Sequence, residues 1–287
     1  MANGAGTAGL PARRARGGGR SLSTAASREP IAGLVDSHCH LQNEAFDADR
    51  GTVIERALAG GVERILVPGY DLESSEAALE LAAQHPGLIV AAVGIHPHFV
   101  AAATEPDWQR LDGLASDSRT VAIGEIGLDY FRNLSPPAMQ REAFARQLAL
   151  ASGARKPVLV HDRDAHAEIS GALLAWSGPG RSVPGVLHCF SGGAAMAVAL
   201  AQAGYLVSFA LPLTFRSASG PRAAAAALPI GQILSETDSP WLAPGTGRRN
   251  EPTTVLRVVA ELARLRGSTP PVLAAEIRGA YERLLAP

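Results

Sequence analysis

Two histidines stand one residue apart in Leu34-Val35-Asp36-Ser37-His38-Cys39-His40, at the end of a short apolar run. On an extended strand, residues i and i+2 project to the same side. His38 and His40 can therefore reach one metal ion together, while Cys39 faces the other way. The pair alone says little; repetition is what gives it weight. Later apolar runs also end in groups able to ligate a metal: Glu125, His161, His188 and Asp238. Four imidazoles and two carboxylates suit borderline or hard divalent cations, with nitrogen and oxygen donors and no thiolate. Six protein ligands exceed what one catalytic ion with open positions needs. Two ions sharing a carboxylate fit better, and such a pair clamps the attacking and leaving oxygens of a displacement. Glu125 falls between the two histidine groups and is the expected bridge.

Something must bring these scattered residues together. From residue 34 onward, apolar runs alternate with Ala/Leu/Glu/Arg stretches of helical spacing. The spacing predicts strands at 34–37, 63–67, 88–93, 120–125, 156–161, 185–189, 204–209 and 231–236. Helices are expected between them, among others at 51–60, 73–84, 137–153, 164–176, 192–202 and 252–266. Near-continuous apolar strands are buried on both faces. Strand–helix alternation means parallel βαβ units. Eight such units point to one α/β domain over 34–287, a (β/α)8 TIM barrel. Catalytic residues of such barrels come from the C-terminal ends of the strands, and every candidate ligand lies at such an end. The Pro-rich pieces 97–106 and 242–252 read as loop excursions on that rim.

Composition narrows the function. A formal net charge of −1 provides no basic field to hold nucleic acid, so a phosphate-bearing substrate would need metals and local arginines. The two cysteines, Cys39 and Cys189, do not make a disulfide framework and read as small buried hydrophobes. No apolar run nears the roughly 18 residues that would span a bilayer, and a reducing, cytoplasmic setting is expected. Residues 1–33 read as a disordered tail rich in Gly, Ala, Ser and Arg. An organelle transit peptide is the alternative there, and Gly17-Gly18-Gly19 argues against its helix.

Several motifs, in this order, carry a family resemblance. They are Asp36-Ser37-His38-Cys39-His40, Gly94-Ile95-His96-Pro97-His98, Gly124-Glu125-Ile126-Gly127-Leu128-Asp129-Tyr130, His161-Asp162-Arg163, His188-Cys189-Phe190-Ser191-Gly192, Glu236-Thr237-Asp238-Ser239-Pro240 and Arg249-Asn250-Glu251-Pro252. Over about residues 34–285 the chain resembles the TatD family of metal-dependent deoxyribonucleases, amidohydrolase-like barrels. The resemblance implies one ion on His38, His40, Glu125 and Asp238, and another on Glu125, His161 and His188. It implies phosphodiester hydrolysis in DNA, as a 3′-5′ exodeoxyribonuclease. Zinc, manganese and magnesium are the candidate ions, and four imidazoles make magnesium the less natural resident.

Within that reading, a metal-activated water attacks phosphorus and Asp238 accepts its proton. Arg163 and His96 are expected to contact substrate phosphate. His98, beyond Pro97, reads as a loop residue; Asp129 either caps the turn after its strand or orients a neighbour. Trp241 and Tyr130 either stack on bases or pack under the loops. The alternative function is hydrolysis of a small-molecule amide, lactone or ester on the same barrel. Two departures from the family pattern stand out: Ala280, where the family commonly has asparagine, and Leu211, expected to narrow the site's mouth.

Overall fold

A computed structural model describes residues 31–286. The strands are β1 (Leu34–Asp36), β2 (Val62–Pro68), β3 (Ile89–Val93), β4 (Thr120–Asp129), β5 (Val158–Arg163), β6 (Gly185–Leu187), β7 (Leu206–Phe209) and β8 (Ile233–Ser235). All pair in parallel and in chain order. The ring closes where the Ser37 N–H donates to the Ser235 carbonyl at 2.9 Å and Cys39 bridges Ser239. Outside it lie α1 (Arg50–Ala59), α2 (Leu72–Gln84), α3 (Glu105–Ser116), α4 (Pro137–Ala154), α5 (His166–Ala175), α6 (Ala194–Gln202), α7 (Ser219–Ala227), α8 (Val255–Arg266) and α9 (Pro270–Leu285). The expected (β/α)8 barrel is therefore what this chain forms. The expected tail lies outside the described residues up to residue 30; the Gly33 N–H already donates to Glu63 at 2.9 Å.

The helices start where local chemistry favours it. Asp71 accepts from the Ser74 N–H at 2.8 Å while the Ser74 hydroxyl accepts from the Asp71 N–H, a reciprocal cap on α2. Prolines occupy the first turns of α3, α4 and α9, where a missing N–H costs nothing. Buried apolar strand residues such as Val35, Ile65, Ile123 and Val207 pack inward and against the helices. Ala280 is fully buried in α9, so that departure sits in packing. Leu211 is also buried, in a 3-10 turn after β7. Among the described residues, no helix is long and apolar enough to cross a membrane.

One strand outruns its predicted end. β4 continues past Glu125 to Asp129, pairing with β5 as far as Arg163. Glycine makes this possible. Gly127 has φ +143, and a Cβ there would sit 2.0 Å from the His161 carbonyl oxygen. Gly94, after β3, would place a Cβ 2.8 Å from the Gly124 carbonyl carbon. A Gly127→Ala variant is expected to lose about 3 kcal/mol, or roughly 6–12 °C in thermal midpoint. Calorimetry checks this, and an unchanged midpoint would show that the β4–β5 contact can give way.

Candidate metal centre

The C-terminal rim gathers the predicted donors into one cluster, buried except for partly exposed His161 and Asp238. His38 and His40 follow β1, Glu125 lies in β4, His161 in β5, His188 follows β6, and Asp238 follows β8. Backbone hydrogen bonds fix the first and last to each other: the Asp238 N–H donates to the His38 carbonyl at 2.9 Å, and the His40 N–H to the Ser239 carbonyl at 2.8 Å. Asp238 adopts φ +56, a left-handed conformation that aspartate tolerates better than most residues. Cys39 points into the core, as strand alternation requires. Cys189 is partly buried, and both thiols are free.

Glu125 is the centre of the cluster, and its two oxygens face different partners. Oε2 lies 3.3 Å from His38 Nε2 and 3.6 Å from His40 Nε2. Oε1 lies 2.8 Å from His188 Nε2 and 3.0 Å from His161 Nδ1. Asp238 Oδ1 completes the first group, 3.8 Å from His38 Nε2 and 3.6 Å from His40 Nε2. His38 Nε2 and His40 Nε2 face each other at 3.0 Å.

These separations suit metal ions. Two donors about 2.1 Å from one ion at a tetrahedral angle stand about 3.4 Å apart, and the cluster's spacings bracket that value. Among the described residues, three groups have donor atoms mutually within 4.8 Å: His38, Glu125 and His188; His38, His40 and Asp238; and His96, Glu125 and His161.

The far nitrogen of each ring decides which histidines can ligate. The His40 Nδ1–H donates to the Pro68 carbonyl at 3.2 Å, leaving a lone pair on Nε2. The His161 Nε2–H donates to Asp129 Oδ2 at 3.2 Å, leaving the lone pair on Nδ1 toward Glu125. His188 Nδ1 lies 3.5 Å from Glu236 Oε1, which favours the same arrangement. His96 differs. Its Nδ1 accepts the His98 N–H at 3.1 Å, so the neutral ring carries its proton on Nε2. That Nε2–H points at Glu125 Oε1, 3.3 Å away. Burial lowers the His96 pKa to about 4, keeping the ring neutral. His96 is thus built as a hydrogen-bond donor, in keeping with the expected substrate contact and despite its spacing from Glu125.

Two carboxylates, Asp129 and Glu236, stand behind the donors. Asp129 serves both roles left open for it. Its Oδ1 caps the turn, accepting from the N–H groups of Phe131 and Arg132, and its Oδ2 accepts from His161 and, at 2.7 Å, lies against His98 Nε2. His98 is therefore more than a loop residue. Glu236 heads its motif with no role read from the sequence. It is fully buried, two residues before Asp238, the same spacing that marked His38 and His40. Arg163 lies exposed at the end of β5, with its guanidinium 4.8 Å from the centre of the Phe131 ring.

Charge in the cluster is shared by pairing. Burial works to raise the Glu125 pKa, but the imidazoles of His188, His96 and His38 hold it well below the usual carboxylate value. Burial opposes charge on His188, but Glu125 and Glu236 raise its pKa well above the ordinary value. His161 is raised in the same way, by Asp129 and Glu125 against burial. In the metal-free barrel, these histidines contribute stability fully below about pH 6.5, lost as pH rises through their raised folded values. Metal binding runs the other way, because an ion needs the neutral rings. Titrating zinc into chelator-treated protein at pH 7 should therefore release at least one proton. Calorimetry in buffers of different ionisation heat measures this; a heat independent of buffer would contradict the paired state.

Fold and site together define a metal-dependent hydrolase on a (β/α)8 barrel. The chain belongs to the TatD-related DNase family, which matches residues 35–286. It is 38% identical over 238 residues to an uncharacterized metal-dependent hydrolase of Bacillus subtilis, covering 82% of this chain and 92% of that protein. It is 37% identical over 245 residues to a 3'-5' ssDNA/RNA exonuclease of Cronobacter sakazakii, covering 83% and 92%. The crystal structure of an Escherichia coli TatD homologue superposes with a TM-score of 0.83 at 30% identity, covering 90% of this chain and all of that one.

Proposed function

We propose that this chain hydrolyses phosphodiester bonds in single-stranded nucleic acid, DNA foremost, removing nucleotides from a 3′ end with two divalent ions. The first ion would be held by His38, His40, Glu125 and Asp238, and the second by Glu125, His161 and His188. One observation carries the reading: the two oxygens of one buried carboxylate face two separate donor groups. The Cronobacter relative's name supplies the substrate and direction. Both free thiols suit the reducing cytoplasm expected for it.

Bound divalent ions supply Lewis acidity and a nucleophile at neutral pH. The chain's own groups do the rest. Burial raises the Asp238 pKa, but His40, His38 and His188 outweigh this and hold it below the ordinary value. Asp238 is therefore ionised at neutral pH, and with 17% of its side chain exposed it can take a proton from an attacking water. The neutral Nε2–H of His96 donates to a phosphoryl oxygen placed beside Glu125. Arg163, at the outer end of β5, pairs with a phosphate further along the strand.

The test is a time course on end-labelled single-stranded DNA with manganese or magnesium. A ladder shortening from the 3′ end is expected. Intact DNA, with metal bound at both positions, would overturn the reading and turn attention to small esters, lactones and amides.

A further inference from the structure

One arc of the rim is aromatic. Trp241 follows β8, Tyr70 follows β2 and Phe99 follows β3. The Trp241 ring centre lies 4.7 Å from that of His40 and 6.4 Å from that of Tyr70. Tyr70 and Phe99 stack at 5.5 Å with their planes 28° apart, and Phe99 lies 6.4 Å from His96. The three rings thus run continuously from one donor histidine to another. Trp241 is 46% exposed and Phe99 40%, with the half-buried Tyr70 between them.

These rings are held firmly. The Trp241 N–H donates to the Asp238 carbonyl at 2.9 Å. The turn behind it is pinned by the fully buried Asn250, whose N–H donates to the Pro240 carbonyl at 3.0 Å and whose amide donates to the Thr237 carbonyl at 2.9 Å. The Phe99 N–H donates to the His96 carbonyl, and the His96 N–H to the Tyr70 carbonyl, both at 2.9 Å. Each ring is therefore tied by backbone to a residue of the site. Single exposed hydrophobics need no explanation. Two of them joined through Tyr70, on fixed turns beside His40 and His96, form a patch with a use. The far side of the rim is different in kind, carrying the Arg163 guanidinium on β5.

We propose that the Trp241–Tyr70–Phe99 arc is a stacking shelf for the bases of a single-stranded end, an inference that rests on the phosphodiesterase reading above. Every base offers a π-face, so a shelf of this kind binds without regard to sequence. A base can lie on it only after leaving its neighbours and its pairing partner, which selects single strands and frayed ends over duplex. The scissile phosphate then meets Glu125 and Asp238 with its base to one side, and the next phosphate runs toward Arg163.

The full chain would be given two fluorescein-labelled single-stranded oligodeoxynucleotides whose last linkage is an uncleavable methylphosphonate. One carries normal 3′-terminal bases and the other abasic sugars at the last two positions. Anisotropy reads the Kd of wild type, Trp241→Ala, Trp241→Phe and Phe99→Ala. Wild type should prefer the base-bearing strand. Trp241→Ala should weaken binding of that strand by about tenfold and erase the preference, and Trp241→Phe should restore most of it. The shelf is overturned if wild type binds both strands equally, if Trp241→Ala keeps the preference, or if it loses both strands alike without rescue by phenylalanine. Cleavage of the corresponding phosphodiesters is followed in parallel. A base preference without cleavage would leave the shelf and remove the phosphodiesterase reading. Cleavage without a base preference would do the reverse.

Discussion

Replacing Glu125 with alanine should strip bound metal from the protein and lower kcat/KM by on the order of a thousandfold or more. The reason is geometric. Glu125 offers Oε2 to His38 and His40 and Oε1 to His188 and His161, with every contact between 2.8 and 3.6 Å. Its removal leaves both groups short of a ligand and the imidazoles without the carboxylate that pairs with them. Neutral rings at 3.0 Å, as His38 and His40 stand, can hold an ion only weakly without that charge. The Glu125→Gln variant fills the same space and should lose metal nearly as completely, which separates charge from packing. Metal content by elemental analysis, together with steady-state rates, decides the matter. Two ions per chain and wild-type turnover in either variant would end the shared-carboxylate account.

Much of this site could be read before the fold, for a physical reason. Parallel barrel strands are buried on both faces, so they stand out as apolar runs, and a charged or imidazole side chain at the end of such a run is conspicuous. His38, His40, Glu125, His161, His188 and Asp238 were found that way, and all six meet at one cluster. Part of what escaped depends on contacts between segments far apart in the chain. β4 runs beyond Glu125 because Gly127 lets the His161 backbone approach, and a glycine in a strand pattern does not announce its neighbour. Glu236 has no role read from the sequence, although the i, i+2 rule that marks His38 and His40 applies to it and Asp238 equally. The proton on His96 Nε2 follows from a backbone N–H donated by His98. The aromatic shelf joins loops after β8, β2 and β3, so no periodicity could connect Trp241 with Tyr70 and Phe99.

The Asp238→Asn variant should keep the fold and most of its metal while kcat falls by about a thousandfold and KM changes by less than about threefold. Asparagine is the informative replacement here. Asp238 sits at φ +56, where asparagine is nearly as comfortable as aspartate while alanine is strained. An alanine variant would therefore mix backbone strain, a lost ligand and lost chemistry in one number. Asparagine keeps an oxygen near His38 and His40, where Asp238 Oδ1 lies 3.8 and 3.6 Å from their Nε2 atoms, but cannot accept a proton. A large fall in kcat with KM preserved is what losing a proton acceptor in the transition state produces; loss of substrate binding would raise KM instead. Metal content measured on the same sample guards against the simpler cause. If Asp238→Asn keeps two ions and turns over within tenfold of wild type, the proton goes elsewhere, and Asp238 only holds metal. If the variant loses the ion beside His38 and His40 along with its activity, ligation and proton transfer are not separable at this residue. The pH–rate profile of the wild type then becomes the deciding measurement: a carboxylate acceptor requires the acid limb to follow a group titrating below the ordinary histidine range.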